Sequence, residues 1–155
     1  MNFPEVIEYA IKETVRTYAG DGIPARWLRS AQRQGDVANA DGRQYFPQLL
    51  ITSSSKFRES EGCTWAVSFE VACVTWHEDD PGASQRAAMF EDVERIMDAL
   101  VEADADNDIR RHFIGKILEH HPTFVLGGMT PIETTPELDN GAQIMAYRGT
   151  FHFSL

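Results

Sequence analysis

Residues at helical spacing open the chain. Phe3, Ile7, Ala10, Ile11, Thr14, Val15 and Tyr18 recur at steps of three and four, and Pro4 suits a first turn, so the pattern predicts an amphipathic helix over 4–19. Gly20 and Gly22 supply its stop. Periodicity then lapses from Asp21 to Phe46, where Gly, Arg, Gln, Asn and Asp alternate without order apart from a short turn around Trp27 and Leu28. A loop of this length in a compact domain points to function or disorder. Leu49, Leu50 and Ile51 begin a short strand, and Ser53 to Ser55 with Arg58 to Gly62 read as a turn or a hairpin tip.

The clearest strand follows over 64–76. Trp65, Val67, Phe69, Val71 and Cys73 alternate with Ala66, Ser68, Glu70 and Ala72, which is the period of a strand with one face buried. After the loop His77 to Gly82, Ser84 is placed to cap a helix over 85–103 whose stripe is Met89, Val93, Ile96, Met97 and Leu100, opposite Glu91, Glu94, Arg95 and Glu102. A shorter helix over 110–119 carries Phe113, Ile114, Ile117 and Leu118. Strands are predicted at 131–135 and 143–153, the second alternating through Met145, Tyr147, Phe151 and Phe153 after the turn signal Asp139-Asn140-Gly141. This order predicts an α+β fold: a mainly antiparallel β-sheet with helices packed on one face and a long basic loop between the first helix and the first strand.

Length and composition sharpen that picture. A chain of 155 residues, 43% hydrophobic, fits one domain over 1–155 with a loop or insertion at 21–46 and excludes wholesale disorder. Its 14 basic and 24 acidic residues leave a net charge of −10, which disfavours simple binding to nucleic acid. The charge is unevenly placed: 16–58 holds seven bases against three acids, whereas 59–155 holds six against eighteen. No basic n-region opens the sequence and no stretch of 18 apolar residues occurs, so neither a secretory signal nor a membrane span is expected. Cys63 and Cys73 would stand about 30 Å apart along an extended strand at roughly 3.3 Å per residue, too far for a disulfide, and are expected to be reduced thiols.

Most candidate chemistry falls to simpler readings. His77, Glu78, Asp79 and Asp80 are consecutive, so they cannot all converge on one ion, and they read as a solvated strand-to-helix connection. Asp104, Asp106 and Asp108 imitate the start of a calcium loop, but Ile109 stands where glycine is needed and Gly115 where a bidentate glutamate is needed. His112, His120 and His121 have no nucleophile in a recognisable elbow and read as surface or helix-end residues. Gly127 and Gly128 lack phosphate-loop spacing and read as a turn; Trp65 and Trp76 read as packing residues. No catalytic residue, metal ligand or cofactor site is therefore expected. The arginines of the long loop are different, because they lie outside any periodic element: beside the plain reading of an Arg-rich flexible surface loop, Arg26, Arg29, Arg33 and Arg43 are candidates for a subunit interface or a DNA-facing arm.

The amino-terminal helix, the strand from Thr64 to Trp76, the acidic loop His77 to Gly82, the helix from Ser84 to Val101 and the closing pair Pro131 to Thr135 and Gln143 to Phe153 together resemble the tail terminator, or tail completion, proteins of long-tailed bacteriophages. The resemblance implies a non-enzymatic virion protein, assembled in the host cytoplasm. Its subunits would form a homo-oligomeric ring, expected to be a hexamer, that caps the tail tube, ends tube polymerisation and offers the surface for head joining. Its partners would be the tail tube protein and a head-completion or connector protein, with DNA passing in the channel and no membrane. Related folds serve other neck, tube and baseplate components. The Asp21 to Phe46 stretch departs from the pattern and bears on the contacts between subunits. Two other readings are set against this one: a small cytoplasmic metal-binding enzyme using His77, Glu78, Asp79 and His112, and a nucleic-acid module working through the four arginines.

Overall fold

A computed structural model describes residues 1–20, 23, 28–30, 48–59, 64–76, 80–139 and 142–155. Helix α1, Phe3–Tyr18, starts where Asn2 in extended backbone accepts a hydrogen bond from the N–H of Glu5, with proline in the first turn, and Gly20 at φ 63° takes the chain away from its end. Its buried stripe is Phe3, Val6, Ile7, Ala10, Ile11, Thr14 and Val15, close to the predicted one. Glu8 is the exception, being 1% exposed on the flank of that stripe. One of its oxygens accepts the backbone N–H of Ser53 at 3.1 Å, so a buried carboxylate ties α1 to the sheet.

The strands are β1 (Leu28–Ser30), β2 (Gln48–Ser53), β3 (Phe57–Arg58), β4 (Trp65–Trp76), β5 (Val125–Ile132), β6 (Glu137–Asp139) and β7 (Ala142–Ser154). The sheet runs β1-β2-β4-β7-β5, with β3 added to β4 and β6 to β7; among the described pairings only β1 with β2 is parallel. Its spine is the antiparallel ladder of β4 with β7, from Trp65 opposite Phe153 to Trp76 opposite Ala142. Helices α2 (Asp80–Asp98) and α3 (Asp108–Leu118) join α1 on one face of it.

Side-chain alternation sorts the two faces. Val67, Phe69, Val71 and Cys73 of β4 enter one core with Tyr147, Phe151 and Phe153 of β7, Met129 of β5, Leu49 and Ile51 of β2, and the helix residues. The predicted stripe of α2, Met89, Val93, Ile96, Met97 and Leu100, is wholly buried there. Of the predicted α3 stripe, Phe113 and Ile117 are buried, whereas Leu118 is exposed. Burial pushes the Cys73 thiol up to about 12, so it is an inert thiol in the native protein. On the other face a small second cluster, Ala72, Val74 and Ala146 with Leu50 and Ile144, covers one end of the sheet. The α+β class and the mainly antiparallel sheet with helices on one face are thus as predicted.

Several boundaries differ for identifiable reasons. Helix α2 begins at Asp80 rather than 85, since Pro81 is tolerated in a first turn where its missing N–H would be unpaired anyway. It stops at Asp98 rather than 103, which frees Val101 to meet β5. Gly127 and Gly128 are not a turn but lie within β5, at a register shift between Leu126 and Gly128. Gly128 holds φ 139°, and a Cβ there would sit 3.1 Å from the Val101 carbonyl, so glycine permits both the bulge and the approach. Leu28–Ser30, inside the stretch predicted as loop, forms β1. Helix α3 starts at Asp108 because Asn107 caps it, accepting the Arg110 N–H at 2.7 Å while its own amide donates to the Ala99 carbonyl. Asn107→Ala should therefore cost about 1–2 kcal/mol in urea unfolding, with an unchanged m-value.

Candidate functional site

Two surfaces concentrate polar and exposed apolar groups. The first is a corner where β3 meets the start of β4. Arg58 is registered opposite Trp65, and its guanidinium lies 4.2 Å from the indole centroid. The Lys56 ammonium lies 5.0 Å from the same ring and 5.7 Å from Phe3. Trp65 is half-buried, so two cations share a partly desolvated aromatic face, an arrangement worth about 0.5–1 kcal/mol per cation at exposed sites. Phe57, between the two bases, points to the opposite face and is 45% exposed. The end of α3 adds His121, edge-on to Phe3 at 5.1 Å, and His120, edge-on to Tyr9 at 5.7 Å. Burial, then the positive charges of His120 and Lys56, lower the His121 pKa.

The second surface is the helix-free face of the sheet. His152 on β7 pairs through Nδ1 with Glu59, and its Nε2 lies 2.9 Å from the Thr130 hydroxyl on β5, a carboxylate, imidazole and hydroxyl in line across the strands. Farther along, Arg148 pairs with Glu70 and lies 3.7 Å from Glu137. Exposed Phe57, Val125 and Ile132 border these pairs. The Glu59, His152 and Thr130 array has the order of an activated hydroxyl, but Thr130 lies in the β5 and β7 ladder with its N–H turned toward β7. It does the work of a cross-strand lock.

The open edge of β5 is closed to further strands. The Met129 N–H donates to the Val101 carbonyl at 3.2 Å, and Arg110 donates to the carbonyls of Leu126 at 3.0 Å and Ala103 at 2.8 Å. With the Met129 N–H directed outward, the N of Pro131, two residues on, also faces the edge and has no proton to offer. Neighbouring copies therefore cannot extend the sheet at β5.

Arg26, Arg33 and Arg43 lie outside the described residues; Arg29 is placed only by its backbone in β1. His77, Glu78 and Asp79 also lie outside them. His112 faces α1: the Thr14 hydroxyl spends its proton on the Ala10 carbonyl at 2.7 Å, so the His112 Nδ1–H donates to it at 3.3 Å, and Tyr18 packs edge-on at 5.5 Å. Asp106 and Asp108 both pair with Arg111 rather than converging on a cation site. Among the described residues no group of three or more His, Cys, Asp or Glu is arranged to hold a metal. The sequence showed Lys56 and Arg58 only as two of the seven bases of 16–58; their stacking on Trp65 was not legible.

The histidines give a pH dependence. Burial, before any charge, lowers the pKa of His112, and it does the same for His121. Each therefore binds its proton more readily in the unfolded chain, so stability falls as pH drops through about 6.5 and keeps falling toward the lower folded value. The urea midpoint should decline between about pH 7.5 and 5.5, and less steeply in His112→Asn and His121→Gln.

No family model matches the chain, and no curated protein matches it in sequence.

Proposed function

We propose that this protein is a structural subunit of a long-tailed phage virion, forming a ring at the head-proximal end of the tail. There it would end tube polymerisation and present the head-joining surface. The observation that carries the reading is the one-sided sheet: all three described helices pack on one face, and the other bears exposed Phe57, Val125 and Ile132 around locked polar pairs. Large apolar side chains left exposed beside ordered polar pairs on a helix-free face are available for contact with protein partners. The order of elements, which resembles the tail terminator proteins, selects the class, and the division of charge along the chain favours head-to-tail contacts in a ring. The partners are further copies of the chain, the tail tube protein and a head-completion or connector protein, and the role is non-catalytic. Electron micrographs of the purified protein, alone and with tail tubes, test this: rings in solution or on tube ends are expected. A protein that stays monomeric at high concentration in low salt and ignores tail tubes would overturn it.

A further inference from the structure

The chain carries a basic, aromatic corner and an acidic lobe at opposite ends of one helix. Helices α1 and α3 are antiparallel neighbours: Phe3 meets His121 at one end, and the Tyr18 hydroxyl donates to the Asp108 carbonyl at the other. At the first end stand Lys56, Arg58 and Trp65, joined by the end of α3. At the second, Glu102 and Asp104 are exposed, and the side chains of Asp106 and Asp108 are 84% and 79% exposed with Arg111 between them. The 11 residues of α3 separate the two by about 16 Å at ~1.5 Å per residue, so they cannot meet within one molecule. Acids at the start of α3 and Lys116 near its end follow its dipole, but Lys56 and Arg58 come from β3 and its flank and add charge the helix does not require.

We infer that the Lys56, Arg58 and Trp65 corner of one copy docks on the Glu102 to Asp108 lobe of the next. Complementary charge selects this occupant. A polyanion such as DNA would lay a continuous line of phosphates along an otherwise acidic chain, whereas the lobe of a second copy presents only a few carboxylates to the corner, a local attraction that acts against the repulsion between two bodies of net charge −10. The half-buried Trp65 ring supplies apolar area at the corner, and Trp and Arg are among the residue types enriched where protein interfaces are anchored. Two different surfaces meeting in this way make a heterologous contact that repeats from copy to copy, made by side chains and not by strand addition at the closed edge of β5. The inference rests on the ring reading and names its contact.

The test is a charge exchange followed by sedimentation velocity at low salt. Lys56→Glu with Arg58→Glu in one variant, and Glu102→Lys with Asp104→Lys in another, should each weaken self-association about tenfold or more, while an equimolar mixture restores it, because the acidic corner of the first then meets the basic lobe of the second and the unchanged lobe of the first meets the unchanged corner of the second. Circular dichroism checks the fold, and Lys56→Gln with Arg58→Gln serves if reversal unfolds the protein. Wild-type-like assembly of the first variant, or no recovery on mixing, would overturn the contact while leaving the ring reading standing. A wild-type protein that sediments as a monomer at every concentration would overturn both. Salt-sensitive binding to duplex DNA that is lost in the first variant, with self-association intact, would assign the corner to nucleic acid instead.

Discussion

Phe151→Ala is expected to lower unfolding free energy by about 3–5 kcal/mol, the loss of a fully buried aromatic ring. Phe151 is 0% exposed and lies stacked between Phe69 of β4 at 4.4 Å and Phe113 of α3 at 4.9 Å. It is therefore the side chain through which the central ladder grips α3. Truncation leaves a cavity walled by two rings on separate elements, and neither can move in without breaking its own packing. Urea unfolding should show a lower midpoint at an unchanged m-value. Phe57→Ala is the control: its ring is 45% exposed, and the change should stay within about 0.5 kcal/mol.

Gly149→Ala should cost about 1–3 kcal/mol, although it adds only a methyl group. Gly149 lies on β7 in the phase of Met145, Tyr147, Phe151 and Phe153, so its missing side chain would point into the core. That space is filled: a Cβ would stand 2.8 Å from Met129 Sδ and 2.9 Å from two ring carbons of Phe69. The thioether can swing aside, but Phe69 is held by Phe151 and by Tyr147, whose ring is stacked 6.2 Å away. Tyr147 is fixed in turn by its hydroxyl, which donates to Asp98 at 2.7 Å, with burial and then Asp98 pushing the phenol pKa up. A thermal melt should fall by roughly 2–4 °C per kcal/mol in a domain of this size. Met129→Ala should recover part of the loss in Gly149→Ala and should itself destabilise the parent; full recovery would show that Phe69 contributes nothing to the clash.

The candidate site was less legible than the core, for a physical reason visible in particular residues. Lys56 and Arg58 could be seen only as two bases among seven, and their meaning depends on Trp65, which reaches them only through the β3 and β4 pairing. Glu59, Thr130 and His152 are separated by 22 to 93 positions and become neighbours only when β5 and β7 align. Helical spacing does not mark Glu8 as a core position, yet the chain folds β2 against it and buries it on the Ser53 N–H.

Local periodicity, by contrast, is carried by the chain itself, because a side chain's face is set by 3.6 residues per turn or by alternation along a strand. Hence the stripes of α1 and α2, the alternation of β4 and the gap at Gly149 were present in the residues alone, and with them the α+β class. Pairing across sequence distance is not local. The parallel placement of β1 beside β2, the bulge that draws Gly127 and Gly128 into β5, the closing of that edge by Val101 and Arg110, and the separation of a basic corner from an acidic lobe along α3 were decided by tertiary structure. In each case the deciding partner lies on another element, and its position is set by packing the whole core.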